Sequence, residues 1–326
     1  MHVLIIGAAG MIGRKLTSAI VKDGGLNGQR VDRLTLLDVI APPTPESFTG
    51  DVDAYAADIA SPATAQRAIA ARPDVIFHLA AIVSGDAEAN LEKGYRINLD
   101  GTRLLFDAVR LEHEHSSYYP RVVFTSSIAV YGAPLPDVID DDFGLTPLTS
   151  YGAQKAMGEL MLSDYSRRGI MDGIGLRLPT ICVRPGKPNL AASGFFSGII
   201  REPLSGLEAV LPVADTVRHW FASPRAAVGF LLHAAKIDLA PLGARRSIML
   251  PGLSVTVADE IEALRRVAGG QAVSLIRRQP DEKIATIVNG WAKAFAPRRA
   301  EALGFVADKS FDEIIQIYIE DDMPKG

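Results

Sequence analysis

The segment His2-Val-Leu-Ile-Ile-Gly-Ala-Ala-Gly-Met-Ile-Gly-Arg-Lys-Leu16 holds the strongest local signal in the chain. Its uninterrupted apolar run after His2 predicts a strand buried on both faces, as in the centre of a parallel sheet. Three glycines follow at three-residue spacing, which predicts a tight turn. The apolar positions beyond them share one face of a helix: Ile12, Leu16 and Ile20.

A strand, a glycine turn and a helix N-terminus in this order form a cradle for phosphate. Glycine lets the backbone approach the anion, and the first-turn N–H groups point at it with the helix dipole behind them. The spacing G-x-x-G-x-x-G differs from the G-x-G-x-x-G pattern of many dinucleotide sites, although the physical roles are similar. Glycines also close ordinary turns, but this context favours a dinucleotide held by Gly7, Gly10, Met11, Ile12 and Gly13.

The segment Arg33-Leu-Thr-Leu-Leu-Asp38 predicts a second buried strand that ends in an acid. In NAD sites an acid about 20 residues beyond the glycines binds the adenosine ribose hydroxyls. Asp38 therefore predicts NAD rather than NADP, because a carboxylate repels a 2′-phosphate. Two alternatives remain: Asp38 caps a turn, or Arg14 serves a phosphate.

Strands and helices alternate along the first part of the chain, which predicts a doubly wound parallel sheet of the Rossmann type. Further strands are expected at 74–81, 121–126 and 173–178, a long helix over 88–114, and loops over 41–52 and 133–149, where Asp140, Asp141 and Asp142 form a solvated turn. Leu79, Ala80 and Ala81 lie at a strand's carboxyl end, where ligands bind in such sheets. His78 is most simply a packed strand residue.

The regular alternation of strands and helices ends after the sixth strand, which predicts a smaller second α/β lobe. Helices are expected near 225–236, 256–268, 281–291 and 310–320, with only short strands between them. We therefore expect a dinucleotide-binding domain over 1–180 and a substrate-binding lobe over 181–326. The chain is expected to re-enter the first domain near 215–250.

Composition limits the class of protein. The net charge of −4 and the lack of a basic, aromatic-interleaved run argue against nucleic acid as a partner. Cys182 is the single cysteine, so neither an internal disulfide nor a thiolate metal cluster is expected, and no metal is predicted. No apolar run reaches the ~18 residues of a membrane span, and the first strand begins too early for a signal peptide. A cytoplasmic protein without membrane contact is expected.

The segment Tyr151-Gly-Ala-Gln-Lys155 carries the predicted chemistry. Its tyrosine and lysine lie one helical turn apart on the same face. A phenol has a pKa near ~10, and a neighbouring ammonium together with a positive nicotinamide ring favours the phenolate, so Tyr151 can act as a base. Ser127, at the end of the preceding strand, can hold the reacting oxygen, and Lys155 can also bond the ribose. A tyrosine and a lysine one helical turn apart also occur on many helices without a catalytic role.

Together these motifs resemble the extended branch of the short-chain dehydrogenase/reductase superfamily, whose NAD-dependent epimerases and dehydratases share their order. The match is close over the first ~180 residues and rests on the glycine turn, Asp58-Ile59, Leu79-Ala-Ala81, Asn98-Leu-Asp-Gly-Thr102, Ser127-Ile-Ala-Val-Tyr-Gly132 and Tyr151-x-x-x-Lys155. The resemblance implies a Ser-Tyr-Lys active site and a homodimer formed by the helices that carry Asn98 and Tyr151. It also adds residues to the expected cofactor site: Asp58, Ile59, Leu79, Ala80, Ala81, Asn98, Ser126 and Pro179.

The expected substrate follows from the segment after the sixth strand. Nucleotide-sugar epimerases of this branch usually have an asparagine where this chain has Thr180. The run from Pro179 to Pro203 instead resembles a subgroup that oxidises the C2 hydroxyl of D-erythronate, a four-carbon sugar acid, with NAD. Such a substrate needs a guanidinium for its carboxylate, and Arg184 and Arg218 are the candidates, each of which could instead form a surface ion pair.

The expected substrate site comprises Ser84, Ser127, Tyr151, Thr180, Arg184 and Arg218. Two other functions stay open at this point. One is a nucleotide-sugar 4-epimerase or dehydratase, although Ile128 and Ala129 stand where dehydratases often place acids. The other is a binding protein on the same fold, which would normally have lost the tyrosine or the lysine.

Overall fold

The computed structural model describes residues 1–186 and 192–323 and divides the chain into two compact units. The first unit comprises residues 1–130, 149–177 and 228–248, and the second comprises 131–148, 178–227 and 249–326. Lys187, Pro188 and Asn189, which contribute to the resemblance after the sixth strand, lie outside the described residues.

The strands of the described residues are two to seven residues long. In chain order they are β1 (His2–Ile6), β2 (Gly25–Leu26), β3 (Gln29–Arg30), β4 (Arg33–Asp38), β5 (Asp51–Ala56), β6 (Val75–His78), β7 (Arg121–Ser127), β8 (Ile139–Asp140), β9 (Asp172–Leu178), β10 (Thr180–Ile181), β11 (Ala209–Leu211), β12 (Arg218–Ala222), β13 (Ser247–Met249), β14 (Leu253–Thr256), β15 (Ile276–Arg278) and β16 (Phe295–Ala296).

The helices are α1 (Met11–Asp23), α2 (Pro62–Ala70), α3 (Ser84–Ala89), α4 (Leu91–Gly94), α5 (Gly101–Ser116), α6 (Ser150–Arg167), α7 (Gly194–Leu204), α8 (Pro224–Ala234), α9 (Val257–Ser274), α10 (Glu282–Asn289), α11 (Arg298–Ala302) and α12 (Phe311–Asp321). A π-helical turn spans Tyr95–Asp100, and 3₁₀ turns span Ile128–Val130 and Ala240–Leu242.

The first unit is built on a seven-stranded sheet of order β13-β9-β7-β6-β1-β4-β5. The pairs β5–β4, β4–β1, β1–β6 and β6–β7 are all parallel. Every residue of β1 is buried, because helices of this unit pack beside the sheet. The predicted Rossmann-type α/β fold is confirmed.

The sequence pattern misplaced three boundaries in this unit. Strand β5 begins at Asp51, inside the expected loop, because it pairs with β4 in register. Strand β6 ends at His78, so residues 79–81 follow the strand instead of completing it. The expected helix over 88–114 is broken into α4, the π-helical turn and α5, since the turn buries Asn98.

The second unit contains small sheets around its own apolar core. Strand β12 pairs parallel with β10 and antiparallel with β14, while β11 pairs with β15 and β8 with β16. Its core joins apolar residues of α7, α9 and α12. Strand β8 lies within the expected loop over 133–149, and Asp141 there accepts the N–H of Arg299 at 2.9 Å, so the acidic turn is tied to the protein rather than wholly solvated.

The division into units differs in detail from the expected domain boundary at 180. The break falls between Arg177 and Leu178, and the segment that returns to the first unit is 228–248, within the expected 215–250. Residues 131–148 belong to the second unit, because β8 pairs with β16. Across the described ranges, no helix is long and apolar enough to cross a membrane.

Candidate functional site

The glycine turn between β1 and α1 leaves a helix N-terminus open. Gly7 has φ +92°, and a Cβ there would lie 2.8 Å from the backbone nitrogen of Ala80. A Cβ on Gly13 would lie 2.1 Å from the carbonyl oxygen of Gly7, so the helix packs on the turn only with glycine at this position. Helix α1 starts after Gly10 without a side-chain cap and without an acid in its first turn. Its first N–H groups are therefore suited to an anion.

Asp38, the last residue of β4, lies beside this turn. Its Oδ2 accepts the N–H of Ala9 at 2.9 Å, and its Oδ1 accepts the N–H of Val39 at 2.7 Å. These bonds fix the orientation of the carboxylate. Each carboxylate oxygen keeps a second lone pair, which can accept a ribose hydroxyl.

Asn98 is held on both sides by protein groups. It is 1% exposed, its Oδ1 accepts the N–H of Ile82 at 2.9 Å, and its Nδ2 donates to Gln154 at 2.8 Å. The π-helical turn brings the amide to the segment that follows β6. In this structure Asn98 positions that backbone, and the expected contact with the cofactor stays a prediction.

The three expected catalytic side chains lie together in the first unit. Ser127 ends β7, and its hydroxyl hydrogen-bonds the phenol of Tyr151 in the first turn of α6. One turn later, Lys155 is 2% exposed and donates from Nζ to the carbonyl oxygen of Thr125 at 2.8 Å. The Lys155 Nζ lies 5.8 Å from the centre of the Tyr151 ring.

The electrostatics of this group differ from the sequence-based expectation. Burial raises the pKa of Tyr151 to about 12, and the hydrogen bond with Ser127 opposes that rise. Burial also lowers the pKa of Lys155 to about 7, which the carboxylate of Glu159 opposes. The predicted lowering of the Tyr151 pKa by Lys155 is thus not seen in the protein alone, because desolvation outweighs attraction to a lysine that is itself partly neutral.

Sequence reasoning missed Glu159 and Arg177. Glu159 is 2% exposed, and its carboxylate accepts Arg177 Nη2 at 2.7 Å, Arg177 Nε at 3.0 Å and the hydroxyl of Ser126. The Ser126 side chain is therefore engaged within the protein. The available signal was the spacing of Tyr151, Lys155 and Glu159, four residues apart on one helix.

The second unit holds Thr180 in β10. Its Oγ1 lies 2.7 Å from Nε2 of His219, a buried residue of β12 whose ring stacks on Phe196 at 5.3 Å between centroids. Burial lowers the pKa of His219 to about 4, so the imidazole is neutral at physiological pH. Thr180 is thus held in one orientation by a neutral partner.

Arg184 follows β10 and is held at three points. Its N–H donates to Ser197 Oγ at 3.0 Å, its carbonyl oxygen accepts Arg201 Nη1 at 2.7 Å, and its own Nη2 donates to Ser193 Oγ at 3.1 Å. Burial and the nearby Arg201 charge lower the pKa of Arg184. Over the described ranges no carboxylate pairs with this guanidinium, which leaves it suited to an anionic ligand.

Arg218 has a different environment. Its side chain is 42% exposed, Nη1 donates to the carbonyl oxygen of Ser254 at 2.8 Å, and Nη2 lies 4.0 Å from Asp259. These contacts are those of a surface ion pair, which was the alternative for this residue.

The other expected residues lie at ends of elements. Asp58 accepts the N–H of Ala60 at 2.9 Å and pairs with Arg96 of the π-helical turn. Cys182, which is not among these expected site residues, is a free, buried cysteine. Burial raises the pKa of its thiol, which makes it unsuited to act as a nucleophile. The remaining positions follow a strand or open a helix: Met11, Ile12, Ile59, Leu79, Ala80, Ala81, Ser84 and Pro179.

These features fit a bound NAD. The uncapped N-terminus of α1 suits the pyrophosphate, and the fixed Asp38 carboxylate suits ribose hydroxyls. Ser127, Tyr151 and Lys155 supply an oxygen ligand, a phenol and an amine in one group. Among the described residues, no three His, Cys, Asp or Glu side chains gather as metal ligands.

Curated proteins of nearly the same length resemble this chain. A protein named D-erythronate dehydrogenase from Cupriavidus necator is 51% identical, with 98% of each chain covered. A second protein of that name, from Haemophilus influenzae, is 41% identical over 99% of this chain and 100% of its own.

Solved structures give the same architecture. A crystal structure described as the nucleoside-diphosphate-sugar epimerase from Agrobacterium tumefaciens is 64% identical, with a TM-score of 0.97 over 98% of this chain and 94% of that chain. An L-threonine dehydrogenase from Cupriavidus necator shares the fold at 20% identity, with a TM-score of 0.84 over 98% of this chain and 99% of its own.

The match to a family model covers most of the first unit. Residues 3–238 match the model of the NAD dependent epimerase/dehydratase family. That range includes the glycine turn, Asp38 and the Ser127, Tyr151 and Lys155 group. The chain belongs to the NAD dependent epimerase/dehydratase family, and it is an enzyme whose cofactor is NAD.

Proposed function

We propose that this enzyme oxidises the C2 hydroxyl of D-erythronate to 2-oxo-D-erythronate with NAD. The observation that carries the proposal is the match, over nearly the full length, to two proteins named for this activity. The half-buried guanidinium of Arg184 supports it, because no carboxylate of residues 1–186 and 192–323 pairs with this side chain and a sugar acid would supply one.

The catalytic roles follow from the group at the end of β7. When bound, NAD supplies the hydride acceptor at carbon. As the phenolate, Tyr151 takes the proton from the C2 hydroxyl, and Ser127, whose hydroxyl lies beside the phenol, then donates its single proton to the same substrate oxygen. Lys155, fixed by Thr125, favours the phenolate when its amine is charged. The pKa of Tyr151 is about 12 and that of Lys155 about 7 in the protein alone, so oxidation should accelerate as pH rises toward the point where Lys155 loses its proton and should slow above it.

The remaining expected site residues stay proposals for substrate and cofactor. We propose that Arg184 binds the substrate carboxylate and that Thr180, oriented by His219, bonds a substrate hydroxyl. Arg218 is the weaker candidate, because its charge already meets Asp259 and it is exposed. Ser84, which opens α3, stays a candidate for a second hydroxyl.

A second function is favoured by one observation. The 64% identical crystal structure is described as a nucleoside-diphosphate-sugar epimerase, which supports the alternative of a nucleotide-sugar 4-epimerase. Thr180 argues against it, because this residue stands where nucleotide-sugar epimerases of this branch usually have an asparagine that contacts the sugar-nucleotide phosphates.

The two functions differ in what happens to added NAD. The purified enzyme is incubated with NAD and either a panel of four- to six-carbon sugar acids or UDP-glucose and related nucleotide sugars, and the reduced cofactor is measured by absorbance. We expect net NADH with D-erythronate and none with nucleotide sugars. Interconversion of nucleotide sugars without net NADH would replace the proposal with the epimerase function.

We also propose that the enzyme is a homodimer and works in the cytoplasm. Leu111 of α5 and Leu160 of α6 are 40% and 65% exposed, and these helices are the ones expected to pair. Light scattering after size exclusion tests this: Leu160→Glu should give monomers, with Val306→Glu, on another exposed site, as the control. A dimeric Leu160→Glu variant would place the interface elsewhere.

A further inference from the structure

The end of strand β7 and helix α6 are joined by three successive contacts. Three consecutive strand residues each meet one of three α6 residues spaced four apart, which share a helix face. The pairs are Ser127 with Tyr151, Thr125 with Lys155, and Ser126 with Glu159. Two of these pairs contain the proposed catalytic side chains, and the third contains a carboxylate with no proposed role.

Glu159 is built into this site as a charged group. It is 2% exposed, and Arg177 of the neighbouring strand β9 binds it through Nε and Nη2 at distances of 2.7–3.1 Å. A buried ion pair is costly to assemble, and well-packed apolar residues often serve stability equally well. The placement of this pair against Ser126 and Lys155 therefore calls for a reason other than stability.

The surroundings of Lys155 supply that reason. Its ammonium faces the Phe124 ring at 5.0 Å and the Thr125 carbonyl, while Asn98 on the π-helical turn beside α6 is uncharged. The titratable groups around it are Tyr151 and Glu159 on α6 and His78 on β6. His78 is buried and neutral, with its Nε2 on Thr102. Glu159 is the acid among them, and it opposes the burial that neutralises the amine.

We propose that Glu159 is a positioning residue that keeps Lys155 charged and locks α6 onto the end of β7. Arg177 fixes the carboxylate, and the Ser126 hydroxyl bonds that carboxylate, which links Glu159 to the strand residue that precedes Ser127. This inference rests on the proposed catalytic group but not on the identity of the substrate. At the pH where Lys155 loses its proton, the phenolate loses its electrostatic support and turnover falls.

The test compares Glu159→Gln, which keeps shape but removes charge, with Glu159→Asp, which keeps charge. The first readout is a ¹³C NMR titration of cofactor-free enzyme labelled with [6-¹³C]lysine, with the Lys155 resonance assigned by its loss in Lys155→Arg. We expect the midpoint of Lys155 to fall by about one pH unit or more in Glu159→Gln and to stay near the wild-type value in Glu159→Asp.

The second readout is the pH profile of kcat/KM for the substrate that the enzyme oxidises. The alkaline limb should move to lower pH in Glu159→Gln by a similar amount, and Glu159→Asp should restore it. A double variant, Glu159→Gln with Arg177→Met, leaves no unpaired buried charge and covers the case in which the single variant does not fold; it is compared with Arg177→Met alone, so that the loss of the arginine's charge is matched. An unshifted Lys155 midpoint in folded Glu159→Gln relative to wild type, or in the double variant relative to Arg177→Met, overturns the inference.

Failure of this inference and failure of the proposed function are distinguishable. If the wild-type enzyme ignores D-erythronate, the substrate is wrong, and the NMR titration still reports on Lys155. If D-erythronate is oxidised and the titration midpoint is independent of Glu159, only the positioning role is wrong.

Discussion

Replacing Arg184 by methionine tests how the enzyme would hold a sugar acid. The substitution removes the guanidinium and its bond to Ser193 Oγ, but it keeps the two backbone bonds, to Ser197 and from Arg201. The segment after β10 should therefore keep its course. What is lost is a half-buried cation with no carboxylate partner among residues 1–186 and 192–323.

The expected magnitude follows from that environment. Removing one partner of a buried charge pair costs about 2–5 kcal/mol, which corresponds to a roughly 30- to 5,000-fold loss in kcat/KM for D-erythronate. Because a fixed carboxylate also orients the C2 hydrogen, kcat should fall as well as KM rise. Initial rates of NADH formation over a range of D-erythronate concentrations separate the two constants.

Two matched variants give the comparison. Arg225→Met removes an exposed guanidinium of the same unit that pairs with Glu320 and Asp321, and it should change kcat/KM by no more than about threefold. Arg218→Met should behave similarly, since the exposed guanidinium of Arg218 already pairs with Asp259 at 4.0 Å. If Arg184→Met oxidises D-erythronate as well as Arg225→Met does, the carboxylate is bound elsewhere and the reasoning fails.

Three other substitutions have definite expected outcomes. Tyr151→Phe should lower turnover by about 10²-fold or more with an unchanged circular dichroism spectrum, and near-normal turnover would exclude the phenol as the base. Asp38→Asn should raise the kcat/KM ratio of NADP to NAD, and an unchanged ratio would remove Asp38 from cofactor selection. Glu260 is fully buried, and burial raises its pKa well above 4.5, so folding retains its proton. The stability that the protonated Glu260 side chain contributes is complete below the pKa of the unfolded state and is lost as pH rises toward the pKa of the folded state. The Tm of Glu260→Gln should therefore decline less than that of wild type between about pH 5 and pH 9. Parallel declines of the two Tm values would contradict this reasoning.

Local patterns predicted the elements that carry the cofactor site. The apolar run before Gly7 and the glycine spacing after it gave β1 and α1, because burial and backbone sterics act within a few residues. Asp38 came at the end of its predicted strand for the same reason. The alternation of strands and helices likewise predicted a parallel sheet, although not the order of its strands.

Long-range contacts explain what the patterns could not predict. Residues 88–114 have a continuous helical pattern, but Asn98 bonds Ile82 and Gln154, and those distant partners produce the π-helical turn. Residues 133–149 have the sequence pattern of a surface loop, but part of this segment forms β8, which pairs with the distant strand β16. The spacing of Tyr151 and Lys155 gives their common face but not how strongly the fold desolvates them, and desolvation sets the direction of both pKa shifts.

The most direct test of the account follows the hydride itself. D-erythronate deuterated at C2 is oxidised by the wild-type enzyme with NAD, and the reduced cofactor and the sugar-acid product are analysed by mass spectrometry. We expect one deuterium in NADH, a 2-oxo acid without label and a slower hydride-transfer step, because Tyr151 removes the proton from oxygen while carbon loses the hydride. Unlabelled NADH, or label that remains in the sugar acid, would contradict oxidation at C2.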